Sequence, residues 1–169
     1  KCVHAVIGKD KNGAVRVYQT LPWGIACWGV GSGSKGSYND SPAYIQFEIC
    51  EDALTDKKYF TEAFNAAIEL CAHLVKQYNL SVDNVVSHAE AHKRGYGSNH
   101  GDCDHWLKKF GKDMNWFRAE VKAKLNVTNT TELYRVRKSW ADAASQIGAY
   151  KSLDNAKKAC KAGYSVFDS

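Results

Sequence analysis

Most of the side chains in this sequence that could do chemistry lie in one segment, VVSHAEAHKRGYGSNHGDCDHW (85–106). It holds four of the six histidines of the chain, with two aspartates and a cysteine among them. These residues are His88, His92, His100, His105, Asp102, Asp104 and Cys103. Imidazole, carboxylate and thiolate groups all bind zinc, and a catalytic zinc keeps three protein ligands and one open position. His88 and Asp102 could supply two ligands, with Cys103 or His105 as competing donors. Spacing alone leaves a metal site and a plain polar loop both open.

The histidine-rich segment needs a rigid element to position it. LSVDNVVSH (80–88) contains several β-branched residues, and this pattern predicts a short strand that ends at His88. Asp102 would then lie in a loop that can fold back over the end of that strand. His92 and His105 are expected to belong to the loop structure or to the rim of a substrate site.

A further carboxylate, that of Glu48, lies in YIQFEIC (44–50). The alternation of apolar and polar residues in this segment predicts a strand. Ile45, Phe47 and Ile49 share one face of it, and Gln46 and Glu48 share the other. Glu48 is either a solvated strand residue or a general base beside a metal, where it could take a proton from an acidified water. The residue types leave both interpretations open.

The other elements are predicted from the spacing of apolar residues and from turn-forming residues. Strands at about 2–8 and 14–20 flank an Asn-Gly turn, which indicates an antiparallel hairpin. Helical spacing predicts a helix over 55–79, capped by Thr55 or Asp56, and a second helix over 112–125. A strand, a helix and a strand follow at 133–140, 152–163 and 164–169. We therefore expect three parts: a main domain at 1–125, a linker without periodicity at 126–132, and a small βαβ-type module at 133–169 that lacks a further strand.

Composition and charge limit the function classes. The chain has 169 residues, of which 44% are hydrophobic, and this supports a folded core rather than disorder. No apolar run approaches the roughly 20 residues that span a bilayer. The net charge of +5 is scattered, which suits an anionic partner such as a bacterial wall without selecting one and makes nucleic-acid binding a weak hypothesis. None of the six cysteines forms a CxxC pair, so a zinc knuckle is disfavoured, and we expect Cys50 and Cys71 to be small buried hydrophobes.

Four segments in order, YQTLPW, GSKGSYN, IQFEICED and the histidine-rich segment, resemble the zinc-dependent N-acetylmuramoyl-L-alanine amidases. This is the group related to phage T7 lysozyme and the peptidoglycan recognition proteins. The resemblance covers about residues 2–125. It implies an α/β fold in which a mixed central sheet is flanked by helices.

The resemblance also implies roles for particular residues. His88 matches the second zinc ligand and Asp102 the third, which is an Asp or a Cys in other members. His100 lies where a catalytic Lys often stands and would stabilise an oxyanion. Glu48 matches the strand glutamate that acts as general base. The first zinc ligand of the family is a His on a strand that would precede residue 1, so the sequence is expected to begin inside a longer chain. His4 matches a histidine that binds no metal.

The implied activity is hydrolysis of the amide between N-acetylmuramic acid and the L-alanine of the stem peptide, with Zn²⁺ as cofactor. The alternative is a domain that binds peptidoglycan or muropeptide without cutting it. Tyr38, Asn39 and Trp106 are predicted to line the substrate groove, and Cys103, which replaces a Pro common in relatives, could contact the metal.

The C-terminal module resembles the small wall-binding repeats that follow such amidases. The expected partner is bacterial peptidoglycan, bound by a monomer. The expected location is the cell wall, or the cytoplasm until phage lysis, as in an endolysin or an autolysin.

Overall fold

The structure is a computed structural model, and it describes residues 2–131 and 133–168, with the side chains of 127–131 excepted. The chain divides into two compact units, Lys1–Lys122 and Ala123–Ser169. The boundary between the units falls inside one helix, so the helix contributes residues to both. Each unit has its own three-stranded sheet.

The sheet of the first unit has the order β2-β1-β3. Strands β1 (Ala5–Lys9) and β2 (Val15–Gln19) are antiparallel, as the Asn-Gly turn predicted, whereas β3 (Phe47–Ile49) runs parallel to β1. Ala5 and Ile7 on one face are completely buried. The register pairs Val6 with Glu48, which places Glu48 on the opposite face. The predicted mixed sheet is confirmed.

The longest helix of the first unit, α1 (Lys57–Gln77), forms for the reasons visible in its sequence. Asp56 caps it by accepting hydrogen bonds from the backbone N–H groups of Lys58 and Tyr59 at 2.8 and 3.1 Å. Its buried stripe includes Phe60 and Phe64, and the helix contacts β1 and β2. No helix in the described part of the chain is long and apolar enough to cross a membrane.

The predicted strand at 80–88 is wrong. Val82–Asn84 is a single 3₁₀ turn, and His88 begins the short helix α2 (His88–Arg94) instead of ending a strand. Two capping boxes explain the difference: Ser81 with Asn84, and Ser87 with Glu90, each satisfy backbone N–H groups that a strand would have offered to a neighbour.

Two further helices complete the first unit. The helix α3 (Asp104–Lys109) was not predicted, since its six residues are too few to show a helical period. The predicted second helix is confirmed as α4 (Met114–Thr131), with Met114, Phe117 and Val121 buried. It continues through most of 126–132, so the prediction of an aperiodic linker there is wrong up to Thr131, and Glu132 lies outside the described residues.

The second unit contains the predicted strand, helix and strand as β4 (Tyr134–Arg137), α5 (Leu153–Ala159) and β6 (Ser165–Phe167). A further strand, β5 (Gly148–Tyr150), follows a 3₁₀ turn at Ala143–Ser145. The sheet order is β5-β4-β6, and β4 is antiparallel to both neighbours. The unit is therefore ββαβ rather than βαβ, because the intervening β5 reverses the chain direction before the helix.

Candidate active site

A cavity of about 380 Å³ opens on the first unit, and segments far apart in sequence line it. Glu48 reaches it from β3, His88 from the start of α2, and Asp102 and Trp106 from the segment that enters α3. A smaller cavity of about 210 Å³ shares Glu48, His88 and Asp102 and adds His100. The sequence-predicted catalytic and metal residues thus lie around one connected region.

His88, His100 and Asp102 form a group whose ligand atoms all lie within 4.8 Å of one another. His100 Nδ1 is 2.8 Å from Asp102 Oδ2, and the rings of His88 and His100 stack with centroids 5.2 Å apart. Two imidazoles and one carboxylate are the donor set of a catalytic zinc. His100, which was predicted only as a hydrogen-bond donor, is therefore close enough to the two predicted ligands to be a third.

The backbone fixes His88 against the loop that carries Asp102. The backbone N–H of His88 donates to the carbonyl of Asp102 at 3.0 Å. Ser87, buried, caps α2 through its hydroxyl, which accepts from Glu90 N at 3.1 Å. The first N–H groups of a helix have no partner within the helix, so an external carbonyl both satisfies one of them and sets the distance between the two segments.

A second group of potential ligands shares Asp102. Glu51, Asp102 and His105 have donor atoms within 4.8 Å of one another. His105 Nε2 lies 2.6 Å from Glu51 Oε1, and His105 Nδ1 lies 3.1 Å from the carbonyl oxygen of Gly101 and 3.8 Å from Asp102 Oδ1. Both ring nitrogens of His105 therefore face oxygen atoms, and the ring ties α3 to the segment that follows β3. Glu51 was missed in the sequence.

Cys103, the competing donor raised by the sequence, and His4, which matches a histidine that binds no metal, both lie outside the two groups of potential ligands among the described residues. Burial and, secondarily, the charge of Asp104 raise the pKa of the Cys103 thiol to about 12, so it stays protonated at neutral pH. His4 is buried: its Nδ1 accepts from Gln46 N at 3.0 Å, and its Nε2 donates to Ile25 O at 2.8 Å. Both ring nitrogens of His4 are thereby used in holding the first unit together, as expected for a histidine that binds no metal.

The three predicted groove residues have different surroundings. Tyr38 lines the cavity and stacks on Tyr44 and Tyr96, with ring centroids 4.0 and 4.8 Å apart. Trp106 also lines it, and its buried Nε1 has no hydrogen-bond partner among the described residues. Asn39 is 1% exposed and does not line the cavity. The groove role of Asn39 stays a prediction, and the side chain has a structural role in the first unit.

The hydrogen bonds of Asn39 explain that structural role. Its Oδ1 accepts from Val30 N at 3.3 Å and from Gln46 Nε2 at 3.1 Å, and its Nδ2 donates to Gly31 O at 3.0 Å. These bonds hold the Gly-rich loop, residues 22–42, against the residues that lead into β3.

Comparison with known proteins agrees with this geometry. The family model described as N-acetylmuramoyl-L-alanine amidase matches residues 1–104, a range that includes Glu48, His88, His100 and Asp102. The chain belongs to this amidase family. No curated protein sequence matches it.

The chain also resembles a solved structure. The crystal structure of Staphylococcus aureus hydrolase AmiA in complex with its ligand matches with a TM-score of 0.58 and 21% sequence identity. The match covers 75% of this chain and 60% of that one. At this identity the likeness shows the fold, and the predicted fold class is confirmed.

Two features of the candidate site were not predicted from sequence. Glu51 lies in the same IQFEICED segment as Glu48, but strand alternation gave no reason to direct it to His105. The start of α2 at His88 was readable, since Ser87 and Glu90 have the spacing of a capping box. That spacing outweighs the β-branched run before it.

Proposed function

We propose that this protein is a zinc-dependent peptidoglycan hydrolase that cleaves the amide between N-acetylmuramic acid and the L-alanine of the stem peptide. The observation that carries the proposal is the cluster of His88, His100 and Asp102 on a cavity that Glu48 also lines. Membership of the amidase family supports the reaction class. The substrate, the metal and the residue roles are parts of the proposal.

The donor set fits zinc. Imidazole nitrogen and carboxylate oxygen both bind zinc at about 2.0–2.2 Å, and sites of this type keep a position open for chemistry. His88 and Asp102 are the proposed ligands from this chain. Zinc bound there would polarise the scissile carbonyl and make water more acidic.

Glu48 carries out the proton transfers. As general base, its carboxylate takes a proton from the attacking water and then gives it to the leaving nitrogen. The C–N bond breaks, and the products are a carboxylate on the lactyl group and a free amine on L-alanine. The position of Glu48 on the cavity side of the sheet supports this role, because β3 holds the carboxylate on a hydrogen-bonded strand.

Two donors would stabilise the substrate. His100 donates a hydrogen bond to the tetrahedral oxyanion through its ring, while Asp102 orients the ring through the 2.8 Å contact at Nδ1. Trp106 offers a buried Nε1 that lacks a partner among the described residues, and a substrate carbonyl in the cavity would satisfy it. Tyr38 forms part of the apolar wall.

The second unit is proposed to hold the enzyme on the wall, which is the proposed place of action. One face of its sheet supports this role. On that face the guanidinium groups of Arg135 and Arg137 converge on Gln146 Oε1, at 3.3 Å from Arg135 and 2.8 Å from the nearest nitrogen of Arg137. Trp140 is 52% exposed beside Arg137, whose guanidinium carbon is 5.3 Å from the ring centroid. Arginine binds carboxylates and an exposed indole packs on sugar faces, so the surface suits a polymer of sugars and carboxylate-bearing peptides.

The test is digestion of purified peptidoglycan with product analysis by mass spectrometry. The wild-type chain with Zn²⁺ is expected to release peptides that begin with free L-alanine, without cutting the glycan. A chelator should abolish the release, and added Zn²⁺ should restore it. Glu48→Gln should lower kcat by about 10²–10⁴-fold while zinc content stays the same.

Two results would count against the proposal. Undiminished release by Glu48→Gln or His88→Ala would remove the mechanism. Retention of muropeptide by a wild-type chain that binds zinc but releases no amine would favour the rival function, a domain that binds peptidoglycan without cutting it. Glu62→Gln on the exposed face of α1 is the matched control and should leave the rate unchanged.

A further inference from the structure

Ser98 makes two contacts that connect the Gly-rich loop to the proposed metal ligand His88. Its hydroxyl oxygen lies 3.1 Å from Val30 O and 3.1 Å from His88 Nε2. The backbone N–H of Ser98 also donates to Val30 O at 2.9 Å, so the side chain is anchored to a fixed carbonyl. Ser98 is outside the residues assigned above to catalysis, metal binding or substrate binding.

The hydroxyl of Ser98 has one proton for these two partners. The carbonyl oxygen of Val30 can only accept, and the Ser98 hydroxyl donates to it at 3.1 Å. The oxygen of Ser98 is then left to accept from the second partner, and this requires a proton on Nε2 of His88. A neutral imidazole carries one proton, so protonation at Nε2 leaves the lone pair at Nδ1.

We infer that Ser98 is a positioning residue that selects the Nε2–H tautomer of His88 and so makes Nδ1 the nitrogen that binds the metal. A ligating histidine whose other ring nitrogen donates to a fixed acceptor has both its tautomer and its ring orientation set before the metal arrives. The inference rests on the proposed metal site for its consequence, but the tautomer itself belongs to the metal-free protein.

The Gly-rich loop is shaped to allow this contact. Gly31 follows Val30 with φ +70, a conformation that favours glycine, and a Cβ at this position would come within 2.7 Å of the Ser98 oxygen. Any side chain at Gly31 would therefore push Ser98 away from His88 or open the loop. The loop, which lines the cavity with Gly29, Val30 and Tyr38, acts on His88 through Val30 and Ser98.

The experiment measures the side-chain ¹⁵N shifts of His88 in the metal-free full chain at a pH where the ring is neutral. The wild type is expected to show a protonated Nε2 and a bare Nδ1. Ser98→Ala removes the acceptor and should shift the ring toward a mixture of both tautomers. Its zinc dissociation constant, measured by competition with a chromophoric chelator, should rise roughly 10-fold or more, the usual effect of losing such a partner. Ser98→Thr keeps the hydroxyl and should retain the wild-type shifts.

Two controls separate the loss of the Ser98–His88 contact from a general disturbance of the fold. Ser32→Ala changes an exposed serine of the same loop and should leave the tautomer and the zinc affinity unchanged. A thermal unfolding midpoint equal to that of the wild type shows that Ser98→Ala is folded. A wild-type His88 protonated at Nδ1, or a Ser98→Ala variant with unchanged shifts, overturns the inference. A wild-type chain with the expected tautomer that binds no zinc overturns the proposed metal site and leaves the tautomer assignment standing.

Discussion

Arg118 of α4 and Glu90 of α2 form a two-pronged ion pair, with Nη1–Oε2 at 2.8 Å and Nη2–Oε1 at 3.0 Å. Arg118 Nη1 also donates to the carbonyl of Val85 at 3.0 Å, just before α2 begins. Glu90 in turn accepts from the backbone N–H of Ser87 at 3.3 Å. The pair therefore connects α4 to the first turn of the helix that presents His88, although neither residue touches the cavity.

Removing one partner of this pair should destabilise the first unit. Both side chains are largely buried, so Arg118→Met would leave the Glu90 carboxylate without its charged donor. We expect a loss of about 1–3 kcal/mol in the free energy of unfolding, the usual range for hydrogen bonds to charged groups. Urea denaturation monitored by tryptophan fluorescence measures it. Glu62→Gln, which breaks the exposed Lys58–Glu62 pair, should change stability by less than about 0.5 kcal/mol. Equal effects of the two changes would contradict the assignment.

The same pair predicts how stability depends on pH. Burial alone would raise the pKa of Glu90, but the hydrogen bonds and charge of Arg118 and the N–H of Ser87 outweigh it and hold the pKa below its ordinary value of 4.5. A carboxyl whose pKa is lower in the folded state stabilises the fold above the unfolded pKa. That contribution is lost as the pH falls through the folded pKa.

The measurement is the difference in unfolding free energy between the wild type and Glu90→Gln across this range. The difference should be constant from neutral pH down to about 4.5 and should shrink below that value. A difference that stays constant down to the acid end would show that the charge of Glu90 contributes nothing.

The two roles open to His100 can be separated by comparing zinc affinity with turnover. We predict that His100→Ala lowers kcat by about 10²–10³-fold, the usual effect of losing one oxyanion donor, while zinc affinity changes little. Asp102→Ala should lower zinc affinity by at least about 10-fold. His73→Ala, on the exposed side of α1, is the control. If His100→Ala loses zinc as completely as Asp102→Ala, then His100 is a ligand, as its place in the donor group would allow.

The sequence predicted the elements whose pattern is local and failed where two local signals competed. The hairpin and α1 followed from an Asn-Gly turn and a long helical stripe, and Asp56 caps the helix as expected. The segment before His88 has β-branched residues suited to a strand. It forms a 3₁₀ turn and the start of α2 instead, because Ser81 and Ser87 cap these elements and each satisfies backbone N–H groups within a few residues. A strand there would have needed a distant neighbour.

The candidate site likewise contains residues that local sequence patterns identify and contacts that these patterns do not predict. Glu48 and His88 could be selected because strand alternation and family motifs point to single positions. The contact between His105 and Glu51 joins segments more than fifty residues apart, and no periodicity encodes which way the loop at 101–104 turns. The burial of Asn39 could not be predicted for a related reason: a polar residue in a Gly-rich loop suggests exposure to solvent, whereas Asn39 is buried and makes three side-chain hydrogen bonds.

Wall binding by the second unit gives the last prediction. The register places Arg135 and Arg137 on the same face as exposed Ala149 and Ser165, so α5 leaves this face open. Arg137→Gln should weaken binding to insoluble peptidoglycan roughly 10-fold, the effect of one charged hydrogen bond. Co-sedimentation in a Glu48→Gln background, which prevents digestion, measures it. Lys158→Gln removes the same charge from exposed α5 and should have no effect beyond a small salt-dependent change. Equal losses in the two variants would mean that net charge alone holds the chain on the wall.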